Sequence, residues 1–163
     1  MLMYKRVDDL ELVGYTDADF GGCPDDLKST SGYIFMLAGG TMSWKSVKQT
    51  LVASSTMYAE FVACFGASTH AVWLRNLISE LRVVDSIFRP VKIYCDNSTA
   101  MFYAKNNKIG SGSKHLEIKY LTVRELVKKG DVIIEHSRTD SMLADSLTTV
   151  SYTHLTLPTN REV

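Results

Sequence analysis

No stretch of this 163-residue sequence approaches the roughly 20 apolar residues that a membrane-spanning helix needs, and the opening MLMYKRVDDL holds no signal-peptide apolar core. An intracellular setting without membrane contact is the expectation. Cysteine is scarce. Cys23, Cys64 and Cys95 are odd in number and far apart, which argues against a disulfide framework or a zinc cluster and leaves them as core fillers or bystanders. Net charge is absent too, since 18 basic residues balance 18 acidic ones, and a uniformly basic nucleic-acid coat is therefore excluded. Of only three prolines, none falls between Ser54 and Arg82. The length suits one buried core and is short for two ordinary domains.

The zero net charge conceals a segregation along the chain. Residues 1–27 carry Asp8, Asp9, Glu11, Asp17, Asp19, Asp25 and Asp26 against Lys5 and Arg6, a balance of minus five. Residues 105–129 carry Lys105, Lys108, Lys114, Lys119, Arg124, Lys128 and Lys129 against Glu117 and Glu125, a balance of plus five. A basic segment beside an acidic cluster suits a phosphate-backbone substrate, although any one of these lysines is more simply a solvated surface group.

Turn residues and hydrophobic period divide the chain into elements. Apolar runs at Leu10–Tyr15, Tyr33–Leu37 and Thr41–Trp44, separated by GGCPDD and by Gly39-Gly40, predict a three-strand antiparallel meander with Gly39-Gly40 as its two-residue hairpin. Helical spacing of Met57, Phe61, Cys64, Phe65, Val72, Leu77, Ile78 and Leu81 predicts one long helix over about 54–82, with these residues facing inward. Pro90 introduces a strand at Val91–Cys95. Helices follow at about 98–105 and 114–129, Gly130 marks a stop, Asp131–His136 reads as a fifth strand, and about 141–147 as a last helix. A strand, a helical crossover and another strand imply parallel neighbours.

Four acids stand at telling places in this order. Asp17 closes the first apolar run, Glu60 lies in the long helix at the edge of its inward face, Asp96 ends the fourth strand and Asp145 lies in the last helix. Carboxylates that would repel one another are tolerated together when hard cations neutralise them, and paired cations of that kind cleave phosphodiesters. Asp17 and Asp96 are expected to meet at the carboxyl ends of adjacent parallel strands. Asp19, two residues beyond Asp17, is the rival for the first position if the strand continues.

The strings GYTDADFGGCPDDLKSTSGY, SWKSVKQTLVASSTMYAEF, VKIYCDNSTA, KHLEIKYLTVRELV and SMLADSLT, taken in order, resemble the ribonuclease H domain of copia-type retrotransposon Pol polyproteins over about residues 12–148. The resemblance implies an α/β ribonuclease H fold, a five-stranded mixed sheet of an antiparallel three-strand meander plus two parallel strands, flanked by helices and spanning 10–148. It implies cleavage of the RNA strand in RNA/DNA hybrids during reverse transcription, beside a reverse transcriptase domain, within cytoplasmic retrotransposon particles. It also implies Asp17, Glu60, Asp96 and Asp145 as catalytic and metal-binding residues for two Mg²⁺ ions, or Mn²⁺, about 4 Å apart. In that scheme Asp17 and Asp96 flank both ions, Glu60 serves the leaving-group side and senses the ribose 2′-OH, and Asp145 holds the ion that carries the nucleophile.

Substrate contacts are expected from three places. Trp44 with Lys45, Lys48 and Gln49 combines an aromatic face, cations and an amide, though a tryptophan in a strand is equally a core residue. Asn97 follows Asp96 and suits either a sugar-phosphate contact or a helix cap. Lys114 and His115 open the block similar to the family's basic helix, where His115 is structural or phosphate-facing. His136 ends a strand and is left outside the catalytic set, because the resemblance does not place it at the family's histidine. Beyond Thr149 the chain departs from the family, and Val150–Thr159 resembles the translation of a library-adapter sequence, so 149–163 is expected to be non-native and functionless. Two other readings stay open: a DNA-cutting transposase or integrase of the same fold, and a catalytically silent domain that binds hybrids or supports a polymerase.

Overall fold

The computed structural model describes residues 10–22, 24–82, 89–98, 114–138 and 144, leaving out the side chains of 115 and 116. Apart from residues 98 and 144, the expected helices near 98–105 and 141–147 lie outside the described residues, as do the tail from 149 and Cys23. Within them the order is β1 (Leu12–Asp19), β2 (Thr30–Leu37), β3 (Gly40–Lys48), α1 (Thr56–Leu81), β4 (Val91–Cys95), α2 (Lys114–Lys129) and β5 (Val132–His136). The five strands form one mixed sheet in the order β3-β2-β1-β4-β5. β1, β2 and β3 pair antiparallel, and β4 joins β1 and β5 in parallel. Both the meander and the parallel pair thus match the sequence reading.

Element boundaries differ where polar residues interrupt the apolar pattern. β1 runs on to Asp19 rather than ending at Tyr15, because its backbone keeps pairing with β2 as far as Asp19↔Thr30 and because Thr16 is buried with its hydroxyl donating to Gly32 O at 3.3 Å. β3 continues to Lys48 as an edge strand whose outer half is exposed, so no alternation reveals it. The hairpin turn also shifts by one residue. Ala38 (φ 54°) and Gly39 (φ 76°) are the two loop residues, and Gly40 already pairs with Leu37. Positive φ at both central positions is what a type I′ turn requires.

Ser55 caps α1, its Oγ accepting from Tyr58 N at 3.2 Å, and Arg82 ends the helix in the left-handed conformation at φ 50°. Gly130 closes α2 as expected. At φ 75° its N–H reaches Val127 O at 3.1 Å, and Asp131 N–H reaches Leu126 O at 3.0 Å, the paired bonds of a Schellman motif.

The core lies between the sheet and the two helices, where Leu12, Phe35, Val91, Ile93, Val132 and Ile134 meet Phe61, Leu74 and Ile78 of α1 and Tyr120 and Val123 of α2. Cys64 and Cys95 are buried members of that core and are not joined in a disulfide. Gly14 is required in mid-strand, since a Cβ there would lie 2.6 Å from Phe35 Cε1. Arg75 of α1 donates to Asp131 at 2.9 Å, tying the helix to the start of β5.

Candidate metal centre

Strand register brings the first two acids together. Thr16 of β1 pairs with Cys95 of β4, so Asp17 and Asp96 each follow the last parallel pair at the carboxyl end of the sheet. The third acid arrives through small residues. Ala18 and Ala53 pack against Ala59 and Ala63 of α1, and methyl-sized side chains let the helix come close enough for Glu60 to reach the strand. Its Oε1 accepts from Ala18 N at 3.3 Å. Gln49 fixes the start of the helix from the other side, donating from Nε2 to Ala59 O at 2.9 Å and to Ser31 Oγ at 2.8 Å.

Asp17, Glu60 and Asp96 thereby offer one carboxylate oxygen each, all within 4.8 Å of one another. Asp17 and Glu60 are buried and Asp96 is partly so. Burial first, then the negative charges of Asp17 and Asp96, push the Glu60 carboxyl up to about 9, against the opposing pull of the Ala18 N–H. Its Oε2 is buried without a hydrogen-bond partner. A carboxylate held beside two others, with an oxygen that no protein donor serves, is neutralised either by a proton or by a cation. An all-oxygen donor set fits a hard divalent ion such as Mg²⁺ or Mn²⁺.

Asp145 lies outside the described residues, although its neighbour Ala144 is fully buried. Asp19 stays out of the three-acid group, on β1 two residues past Asp17. His136 is exposed at the end of β5, opposite Cys95 in register, and so stands at the same end of the sheet as Asp96.

The expected substrate residues separate. Trp44 is 48% exposed rather than core, and strand alternation turns it to the face opposite Lys45. Lys48 Nζ pairs with Asp26 at 2.6 Å. Gln49 is buried with its amide engaged by Ser31 and Ala59, which makes it a brace between β2 and α1. Asn97 is partly buried and its carbonyl accepts from Cys95 Sγ at 3.7 Å, Lys114 is exposed at the start of α2, and the His115 side chain lies outside the described set. Sequence reading missed this bracing role and the Ala18 N–H that receives Glu60. Ala59, Ala63, Ala67 and Ala71, spaced four apart, were the available signal of a close helix-to-sheet approach.

Comparison with known proteins adds the family. The chain is 37% identical over 147 residues to the retrovirus-related Pol polyprotein from transposon RE1 of Arabidopsis thaliana, covering 90% of this chain and 10% of that protein. It is 35% identical over 139 residues to the corresponding polyprotein from transposon TNT 1-94 of Nicotiana tabacum, covering 85% of this chain and 10% of the other. The chain belongs to the ribonuclease H domains of copia-type Pol polyproteins. It spans about a tenth of the length of the curated relatives it matches. No family model matches.

Solved structures agree on the fold of this ribonuclease H domain. LC11-RNase H1 in complex with RNA/DNA hybrid superposes with a TM-score of 0.59 at 15% identity, covering 84% of this chain and 93% of that one. The prototype foamy virus protease-reverse transcriptase gives 0.59 at 20% identity, covering 90% of this chain and 21% of that protein. Among the described residues no helix is long and apolar enough to cross a membrane.

Proposed function

We propose that this domain hydrolyses the RNA strand of RNA/DNA hybrids, in a metal-dependent reaction serving reverse transcription of a copia-type element. The observation that carries the reading is the convergence of Asp17, Glu60 and Asp96 at the carboxyl end of the sheet, with Glu60 Oε2 buried and unserved by any protein donor. Membership in the Pol family and likeness to an RNase H1 solved with hybrid support it.

Asp17, Glu60 and Asp96 would hold Mg²⁺, with Mn²⁺ as the substitute, and Asp145 joins them by family resemblance. When bound, such a cation pair supplies Lewis-acid stabilisation at the scissile phosphate and lowers the pKa of the attacking water. The protein's own part is positional. The β1–β4 register sets the spacing of Asp17 and Asp96, and the Ala18 N–H orients Glu60. Glu60 must lose its proton to serve as a ligand, so cation binding releases a proton in the neutral range. A reverse transcriptase domain of the same polyprotein is the proposed neighbour, a retrotransposon particle the proposed setting, and 10–148 the proposed functional unit, the remainder from 149 being without a role.

The test is cleavage of a labelled RNA/DNA hybrid by the purified chain and by its Asp96→Asn variant. RNA-strand cleavage with Mg²⁺ is expected, abolished by EDTA and reduced at least about a hundredfold in the variant. Equal cutting of a DNA duplex would favour the transposase reading, and hybrid binding without cutting the silent one. Identical cleavage by both proteins would place the chemistry elsewhere.

A further inference from the structure

Gln49 is the first residue past β3, and its hydrogen bonds close a circuit around Glu60. Its backbone N–H donates to Ser29 O at 2.8 Å, which ties it to the residue just ahead of β2. Its amide then reaches two different elements. Nε2 donates to Ser31 Oγ of β2 at 2.8 Å and to Ala59 O of α1 at 2.9 Å. Ser31 is the register partner of Ala18, whose N–H donates to Glu60 Oε1 at 3.3 Å, and Ala59 is the residue before Glu60. Glu60 is thus held at both ends, its carboxylate by β1 and its backbone by Gln49, with β2 joining the two holds.

Stability alone does not account for a glutamine at this position. Gln49 is 6% exposed, and its Oε1 is buried without a hydrogen-bond partner among the described residues. Ala59 O can only accept, so the amide cannot turn over without losing its bond to α1. An unserved buried acceptor offsets much of what two neutral hydrogen bonds contribute. What remains is direction. The methyl contacts among Ala18, Ala53, Ala59 and Ala63 set how near α1 comes to the sheet, yet apolar contact is non-directional and defines rotation about the helix axis only weakly. Two hydrogen bonds from one planar amide, made to two elements, define it. Groups that orient a metal ligand from behind matter by about tenfold to a hundredfold in cation affinity.

We propose that Gln49 is a positioning residue for the cation site, setting where α1 presents Glu60 and thereby the affinity of Asp17, Glu60 and Asp96 for a divalent ion. This role presupposes the cation site of the proposed function. The probe is Mn²⁺ alone, its free concentration followed by electron paramagnetic resonance at one pH against the full chain and its variants. Gln49→Met keeps an unbranched side chain of similar length and removes both donated bonds. It is expected to bind Mn²⁺ about tenfold more weakly than the parent. In a Glu60→Gln background the same change should have no further effect, and that non-additivity separates positioning from a general loosening of the fold. Val123→Ala, which opens a cavity in the core at α2, should lower the melting temperature and leave Mn²⁺ affinity unchanged. Should Gln49→Met fail to fold, Ser31→Ala decides: it removes one of the two acceptors and is expected to weaken binding about threefold. With hybrid as substrate, kcat should fall in Gln49→Met with KM unchanged.

Equal Mn²⁺ affinity in the parent and the folded variant overturns the assignment. So does a weakening that persists at full size in the Glu60→Gln background, or one that Val123→Ala matches. A rise in KM alone would make Gln49 a substrate contact and overturn it as well. A parent chain that binds no Mn²⁺ overturns the cation site itself and this role with it, a failure seen before any variant is made.

Discussion

Glu60 concentrates the electrostatic cost of the site in one side chain. Its carboxyl titrates near 4.5 in the unfolded chain and is pushed up to about 9 in the fold, chiefly by burial and then by Asp17 and Asp96. Between those values the folded protein holds a proton that the unfolded chain has lost. The stability of the cation-free protein is therefore expected to fall as pH rises through the window from 4.5 to about 9. In Glu60→Gln this part of the pH dependence should disappear, and above neutral pH with EDTA the variant should melt higher than the parent. Melting curves from pH 5 to 9 in chelator check this, and equal slopes for parent and variant would show that Glu60 does not carry the linkage. Asp17 and Asp96 could be read from their places at strand ends, as could Glu60 from its helix edge. That Glu60 reaches the Ala18 N–H, and that Gln49 is a brace instead of a substrate contact, could not. Both depend on which side chains lie opposite across separate elements.

At the scale of elements, α1 is the part on which most else depends, since it presents Glu60 at one end and the exposed Trp73, Leu77 and Leu81 toward the other. Gly66 sits within it with open space where a Cβ would go. Gly66→Ala is expected to stabilise the protein by about 0.5–1 kcal/mol, because the alanine gains helix propensity and meets no neighbour. Urea midpoints would check this, and a destabilised variant would mean that the helix is packed more tightly at Gly66 than its surroundings indicate. The helix and its length followed from hydrophobic period, while the exposure of Leu77 and Leu81, expected to face inward, did not. Period marks apolar residues without saying how much of the helix circumference other elements will cover. The hairpin illustrates a related limit. Two glycines signal a turn, yet the loop takes Ala38 and Gly39 because strand pairing sets the register, with Gly40 drawn into the ladder opposite Leu37.

At the scale of the whole molecule, the sheet's carboxyl pole carries acids, and its opposite pole carries the start of β1 beside the exposed Leu77 and Leu81 of α1. A ligand that binds only the folded acid cluster must stabilise the fold by mass action. Mg²⁺ at a hundred times its dissociation constant is expected to contribute about 2.7 kcal/mol, seen as a rise in melting temperature that EDTA reverses and Asp96→Asn abolishes. An unchanged melting temperature across a millimolar titration would count against a cation site. The sequence by itself determined the meander, the long helix, the parallel strand order and the places of Asp17, Glu60 and Asp96, because hydrophobic period, turn residues and strand ends are properties of neighbouring residues. Tertiary structure alone decided that three oxygens converge within 4.8 Å, that burial and two neighbouring acids push the Glu60 carboxyl up, and that Leu77 and Leu81 are exposed. Those outcomes depend on distances and burial between segments far apart in the chain, which no local pattern encodes.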